Sequence, residues 1–219
     1  MSRTSIVMTD ELHDYLVAHC TPPDPLYLDL AAETTRTTGG DANMQIGLEE
    51  AALLTLLTQL MQARAAVEVG TFTGMSSLAI ARGLAAGGKL ICFDISADYT
   101  SIAQRYWKRA GLDDRIELRL GPAAERLSEL PDEPHLDIAF IDADKEGYAS
   151  YWAALVPRMR TGGLIMVDNV LWSGKVTDPD GADPTTGLMI AFNDTVVADP
   201  RVEAVMLPIA DGLTLARKL

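Results

Sequence analysis

The stretch Ala66-Val67-Glu68-Val69-Gly70-Thr71-Phe72-Thr73-Gly74-Met75-Ser76-Ser77-Leu78-Ala79-Ile80-Ala81 decides how this chain is read. Ala66–Val69 is a short apolar run suited to a buried strand, and Ser76–Leu84 has the composition of a helix. Gly70 and Gly74 lie between them, and glycine there permits a tight turn and a close approach of ligand to backbone. Their spacing is Gly-x-x-x-Gly. A pyrophosphate-binding turn needs Gly-x-Gly-x-x-Gly. The loop therefore suits an adenosyl ligand without phosphates, although a plain strand-to-helix turn would carry the same glycines.

Outward from this point, short apolar strands alternate with helices. The pattern predicts strands at Leu90–Phe93, Ile116–Leu120, Asp137–Ile141 and Leu164–Val167. It predicts helices at Ser101–Ala110 (closed by Gly111), Ala123–Leu130, Tyr148–Met159 and Leu188–Val197. Strands apolar on both faces imply a mostly parallel sheet covered on both sides. Val202–Leu207 and Leu213–Arg217 are separated by only Pro208–Gly212, which makes a hairpin and forces one antiparallel strand. The expected fold class is α/β: a doubly wound, mostly parallel seven-stranded sheet ending in that hairpin. Towards the N-terminus, helices are expected from Thr9 to about His19 and from Leu26 to Thr35. A third starts near Leu48, with Leu53, Leu56, Leu57, Leu60 and Met61 as its apolar face. One domain is expected over 1–219, with 1–43 a helical appendage and 44–219 the catalytic core.

A chain of 219 residues, 48% hydrophobic and 22% charged, is ordinary globular material for one domain. Its longest apolar stretch, Ala51–Val69, is interrupted by Gln59, Gln62 and Arg64, so no membrane span is expected. The first sixteen residues lack the apolar core of a secretory signal, and a cytoplasmic location is expected. Cys20 and Cys92 are expected as buried free thiols. A net charge of −13 repels phosphate backbones and argues against nucleic acid as substrate.

Three acidic positions follow apolar strands. Asp94 ends Leu90–Asp94, where a carboxylate can accept hydrogen bonds from both ribose hydroxyls. Phe140-Ile141-Asp142-Ala143-Asp144-Lys145 and Met166-Val167-Asp168-Asn169 place two more on the same carboxyl edge of the sheet. Asp142, Asp168 and the amide oxygen of Asn169 are three hard oxygen ligands, which suits Mg²⁺ or another divalent cation such as Ca²⁺ or Mn²⁺ rather than zinc. Lys145, three residues after Asp142, is close enough to share the site and act as a general base. Taken singly, each acid could equally be a solvated cap and Lys145 a surface charge.

With these motifs the sequence resembles the metal-dependent class I S-adenosylmethionine O-methyltransferases, the caffeoyl-CoA and catechol O-methyltransferase group. The resemblance runs from about Leu26 to Leu219. It is carried by VEVGTFTGMSSLAIA (67–81), FIDADKEGY (140–148), GGLIMVDNVLWSGKV (162–176) and DPRVEAVMLPIADGLTLARKL (199–219). It implies that Glu68, Gly70, Thr71 and Ser76 contact the amino-acid and sulfonium end of the cofactor, and that Asp94 takes the ribose. Ala123 gives a backbone contact near the adenine, and Met44 and Ile46 close over the cofactor. Asp142, Asp168 and Asn169 match the metal ligands and Lys145 the base, with Trp172 and Ser173 toward a small aromatic substrate. Ser173 stands where the plant caffeoyl-CoA enzymes have asparagine, and their basic N-terminal contact to coenzyme A has no counterpart here. Both differences point to a free catechol. The family also implies a homodimer.

Three rival readings fit the sequence less well. A nucleic-acid methyltransferase lacks support from charge and from any Asn/Asp-Pro-Pro-Tyr motif. A nicotinamide oxidoreductase needs a different glycine spacing. A silent binding or dimerisation protein has no need of the acids and the lysine together. Phe72, Tyr148, Trp152 and Trp172 are candidates for an aromatic pocket or for core. Ser173–Thr186, with Pro179, Gly181 and Pro184, is a candidate cover for the site.

Overall fold

The computed structural model describes residues 6–178 and 183–219, so Pro179 and Gly181 of the expected cover lie outside the described residues. The elements in chain order are α1 (Asp10–Ala18), α2 (Pro25–Thr38), α3 (Leu48–Leu60), β1 (Ala65–Val69), α4 (Met75–Gly83), β2 (Lys89–Asp94), α5 (Ala97–Arg109), β3 (Ile116–Leu120), α6 (Ala123–Leu127), β4 (Leu136–Ile141), α7 (Tyr148–Leu155), β5 (Met159–Val167), α8 (Pro184–Ala198), β6 (Val202–Leu207) and β7 (Leu213–Lys218). The seven strands form one sheet in the order β3-β2-β1-β4-β5-β7-β6. The first five are parallel, and β7 runs antiparallel between β5 and β6. The hairpin thus closes the sheet by inserting its second strand first.

The period-2 alternation of the strands divides the core in two. Ala66, Ile138, Phe140, Leu164 and Met166 face a cluster with α2, α3, α4 and α5. Val67, Val69, Ala139, Ile141, Ile165 and Val167 face a second cluster with α6, α7 and α8. Both faces of the central strands are therefore buried, which explains their near-continuous apolar sequence. Strand order reverses between β1 and β4, where Val69 pairs with Ile141. The chain's functional edge lies just beyond those two residues.

Several boundaries differ from the sequence expectation. Helix α5 begins at Ala97 because the Ser96 hydroxyl caps it, accepting from the Tyr99 amide at 3.2 Å. Helix α8 begins at Pro184 with Asp183 as its cap, so Pro184 starts a helix instead of belonging to a loop. Helix α7 gives way at Val156 to a 3₁₀ turn containing Pro157, and Met159 opens β5. Cys92 is buried as expected, whereas Cys20 is only half-buried.

The largest difference is the rotation of α3. Its buried residues are Glu50, Ala51, Leu54 and Thr58, while Leu56 and Leu60 are 52% and 71% exposed. Leucines occur all round this helix, so periodicity alone does not fix which face turns inward. Small residues fix it instead. A Cβ on Gly83 of α4 would lie 2.5 Å from Thr58 Cβ, and the Thr55 hydroxyl donates to the Ala79 carbonyl at 2.9 Å. The two helices pack at close range only along this face.

Helix α2 is joined to α4 and α5 by Arg82–Asp24, Arg105–Glu33 and Arg109–Asp29 ion pairs at 2.6 to 2.8 Å. Tyr27 and Leu30 enter the first core cluster. Among the described residues no helix is long and apolar enough to cross a membrane.

Candidate active site

The carboxyl ends of β1, β2, β4 and β5 meet at one edge through backbone hydrogen bonds. Gly70 donates to Phe93, Asp142 to Val69 and Asp168 to Ile141, at 2.8 to 3.0 Å. Gly70 has φ +89°, and a Cβ there would lie 1.8 Å from the Asp142 carbonyl oxygen. Only glycine lets the first loop pass this close to the strand end bearing Asp142. Phe72, Asn169, Trp172 and Ser173 also hold positive φ, between 48° and 59°. Left-handed backbone at non-glycine residues costs of order 1–3 kcal/mol each and concentrates at functional sites.

The glycine loop is held by Asp94. One carboxylate oxygen accepts from the Thr71 and Phe72 amides, both at 2.9 Å, and the other from the Ser96 amide at 2.7 Å. Three of its roughly four acceptor positions are filled, leaving about one for a ligand hydroxyl. Glu68 is fully buried beneath this loop, and neither its carboxylate oxygens nor the Thr71 hydroxyl has a partner within hydrogen-bond geometry. Burial pushes the Glu68 carboxyl up to about 7, opposed by the neighbouring Ser76, Cys92 and Thr71 side chains. Buried polar atoms without partners are costly, and they cluster here where a ligand with a positive amino end would satisfy them.

Met44 and Ile46 flank Gln45, whose amide donates to the Thr34 and Thr73 hydroxyls at 2.9 and 3.0 Å. Thr34 in turn donates to Thr73 at 2.8 Å. This small network ties the 44–46 segment to the glycine loop. Met44 is half exposed, and Ile46 packs on the first core cluster. Ala123 opens α6, close to β2 because the Gly121 amide donates to the Asp94 carbonyl at 2.9 Å. Ser76 is buried in the first turn of α4.

On the other side of Gly70, Lys145 joins the acidic residues. Its Nζ donates to Tyr148 Oη at 2.6 Å, Asn169 Oδ1 at 2.7 Å and the Ala143 carbonyl at 3.0 Å, with Asp142 Oδ1 at 3.4 Å. An ammonium has three donors, so the short contacts use them and the Asp142 contact is mainly electrostatic. Tyr148 Oη donates onward to the Asp168 carbonyl at 3.0 Å. Burial raises the Asp142 carboxyl, opposed by Lys145, and pushes Asp168 up to about 7 with Asp142 adding to the shift. A buried carboxylate raised by burial and by the neighbouring Asp142 charge is an arrangement that a cation would reverse.

The donor chemistry fits a hard divalent cation: two carboxylates and one amide oxygen. Among the described residues no group of three or more His, Cys, Asp and Glu side chains could hold a metal, so any such site depends on the Asn169 amide. The Trp172 ring lies 5.9 Å from Lys145 Nζ, and its indole donates to Asp183 at 3.0 Å. The Ser173 amide donates to Asp211. Trp152 and Tyr148 belong to the second core cluster, and Phe72 packs edge-on against Tyr99 with ring centres 4.8 Å apart.

Glu50 was not anticipated from sequence. It is buried, and both its carboxylate oxygens lack partners. Burial and the charges of Asp168 and Asp142 push it up to about 9. In sequence it is one of two acids opening a helix, which normally marks a solvated first turn. Its signal was available only with the correct rotation of α3.

A sheet of this order, with β7 inserted antiparallel beside β5 and a glycine-and-acid edge at the switch point, defines a Rossmann-like methyltransferase. The chain matches the O-methyltransferase family over residues 19–219 and belongs to it, in the class I group that includes the caffeoyl-CoA and catechol O-methyltransferases. It is 42% identical to Probable caffeoyl-CoA O-methyltransferase 1 of Dictyostelium discoideum over 175 residues, 78% of this chain and 76% of that one. It is 35% identical to the mouse Catechol O-methyltransferase domain-containing protein 1, covering 95% of this chain and 80% of that one. The crystal structure of the O-methyltransferase from Bacillus cereus in complex with SAH superposes with a TM-score of 0.86 at 29% identity, covering 95% of this chain and 97% of that one.

Proposed function

We propose that this protein transfers a methyl group from S-adenosylmethionine to one hydroxyl of a small catechol-like substrate, with a divalent cation at Asp142, Asp168 and Asn169. The observation that carries the reading is the convergence of Asp142 and Asn169 on the amine of Lys145 beside Gly70. The solved Bacillus cereus structure with SAH supports the choice of cofactor.

S-adenosylmethionine supplies the electrophilic sulfonium methyl. A divalent cation supplies Lewis acidity and a chelating point that makes a neighbouring phenolic hydroxyl more acidic. The remaining work falls to the chain. Glu68 and Thr71 hold the amino end of the cofactor, Asp94 offers its remaining acceptor position to the ribose, and Gly70 and Ser76 allow close approach. Met44 and Ile46 cover the cofactor, and the Ala123 backbone lies toward the adenine. Lys145 would accept the hydroxyl proton as the free amine, after its ammonium has released a proton to solvent, and Trp172 provides a flat wall near it. Orientation and charge placement then dominate the rate. Ser173 in place of asparagine favours a free catechol over a coenzyme A thioester. The exposed Leu56 and Leu60 on α3 support a homodimer.

Asp142→Ala tests this reading. It should abolish methyl transfer to catechols while leaving the fold intact by circular dichroism. Near-normal turnover in that variant would remove the cation from the mechanism.

A further inference from the structure

Trp172 and Ser173 hold left-handed backbone, at φ 48° and 54°. For a bulky aromatic residue that conformation persists only where its surroundings fix it. The hairpin turn fixes the backbone. The Leu171 amide donates to the Asp211 carbonyl at 2.9 Å and the Ser173 amide to the Asp211 carboxylate. A Cβ on Gly212 would lie 2.4 Å from Leu171 Cγ, so the turn packs directly on this loop.

Asp183 fixes the ring. It is the N-cap of α8, and its Oδ1 accepts from the Thr185 amide at 3.0 Å, which is all that a cap requires. Its Oδ2 accepts from Trp172 Nε1 and from Lys175 Nζ, each at 3.0 Å. Serine, threonine or asparagine would cap the helix as well. What aspartate adds is the second oxygen, because an asparagine capping through its own oxygen turns an NH₂ group toward the indole. The indole has a single donor, so this bond and the loop backbone together set the ring. Its centre then lies 5.9 Å from Lys145 Nζ. Among the described residues no other aromatic ring stacks on it or meets it edge-on, so its face is not taken up by an aromatic partner.

We propose that Asp183 is a positioning residue for the acceptor substrate: its carboxylate holds the Trp172 indole beside Lys145, setting the flat wall before an aromatic substrate arrives. This rests on the reading of Trp172 as a wall against a catechol given above. A side chain ordered in advance spares the cost of ordering it on binding, which amounts to about 2–12-fold in affinity.

The test compares wild type, Asp183→Asn and Asp183→Ser, both of which keep a helix cap, and repeats Asp183→Asn in a Trp172→Phe background. The three tryptophans give three indole N–H resonances in ¹H–¹⁵N spectra, and the one lost in Trp172→Phe is that of Trp172. In both Asp183 variants this resonance should move while those of Trp107 and Trp152 stay. With saturating S-adenosylmethionine and Mg²⁺, the KM for unsubstituted catechol should rise about 3–10-fold. The kcat and the S-adenosylmethionine Kd should stay within about twofold. In the Trp172→Phe background, where no indole N–H remains to be held, Asp183→Asn should change KM less than about twofold. An unmoved Trp172 resonance, or a moved resonance with unchanged KM, would overturn the role of Asp183 and leave the reaction in place. An equal rise in KM in both backgrounds would overturn it in favour of Lys175 or the helix cap. Failure of wild type to methylate catechol while still binding S-adenosylmethionine would overturn the catechol reading and this inference together.

Discussion

Glu68→Gln should stabilise the cofactor-free protein at alkaline pH and weaken it as a cofactor-binding protein. The folded chain holds the Glu68 proton up to about pH 7, against an ordinary value of 4.5. Between those values the folded state binds a proton that the unfolded state has released. Stability from this group is therefore full below pH 4.5 and falls as pH rises toward 7. At about 1.4 kcal/mol per pH unit, holding the buried carboxylate ionised at pH 8 costs about 3 kcal/mol relative to pH 4. Glutamine has nearly the same shape and stays neutral throughout, so the variant escapes that loss. For a chain of this size the difference corresponds to a melting temperature roughly 6–12 °C above wild type at pH 8. The gap should nearly close at pH 4.5. Comparing the two proteins at each pH cancels the titration of Glu50 and Asp168. Differential scanning calorimetry at pH 4.5 and pH 8, without cofactor, is the assay. A melting difference that is the same at both pH values would refute the idea that Glu68 is forced toward neutrality by burial. Calorimetric titration with S-adenosylmethionine at pH 8 should show weaker binding by the variant.

Other perturbations separate the parts of the site. Gly70→Ala places a Cβ 1.8 Å from the Asp142 carbonyl, so it should lose cofactor binding and several °C of melting temperature; normal cofactor affinity by calorimetry would show that the loop can move aside. Lys145→Ala should lower kcat by about 10²–10⁴-fold while changing the cofactor Kd little, and an unchanged rate would show that deprotonation does not need this amine. Phe140→Ala, one residue before the end of β4 and fully buried, should cost about 3–5 kcal/mol in denaturant unfolding. A loss below about 1 kcal/mol would contradict the packing described for the first core cluster.

The fold was legible where local rules act alone. Continuous apolar strands, glycine-terminated helices and a short connection at Pro208–Gly212 determined the parallel sheet and its antiparallel end. The site was legible where a side chain follows directly from a strand end, as with Asp94, Asp142 and Asp168. It was less legible where tertiary packing decides. The rotation of α3 depends on Gly83, Ala79 and Thr58 meeting across two helices, and no periodicity within residues 48–61 encodes that contact. Glu50 went unnoticed for the same reason. In the sequence Asp94 reads as a ribose contact or a solvated strand-end cap, whereas in the structure it organises the Thr71 and Phe72 amides. Tyr148 was read as pocket or core, and it also joins Lys145 to the Asp168 backbone.

The most direct test of the central claim is methyl transfer from S-adenosylmethionine to a panel of catechols, measured with Mg²⁺, then with excess chelator, then with Mg²⁺ restored. The account predicts turnover that disappears with chelator and returns with the cation. Turnover that survives excess chelator would contradict it, leaving a methyltransferase that deprotonates its substrate without a metal.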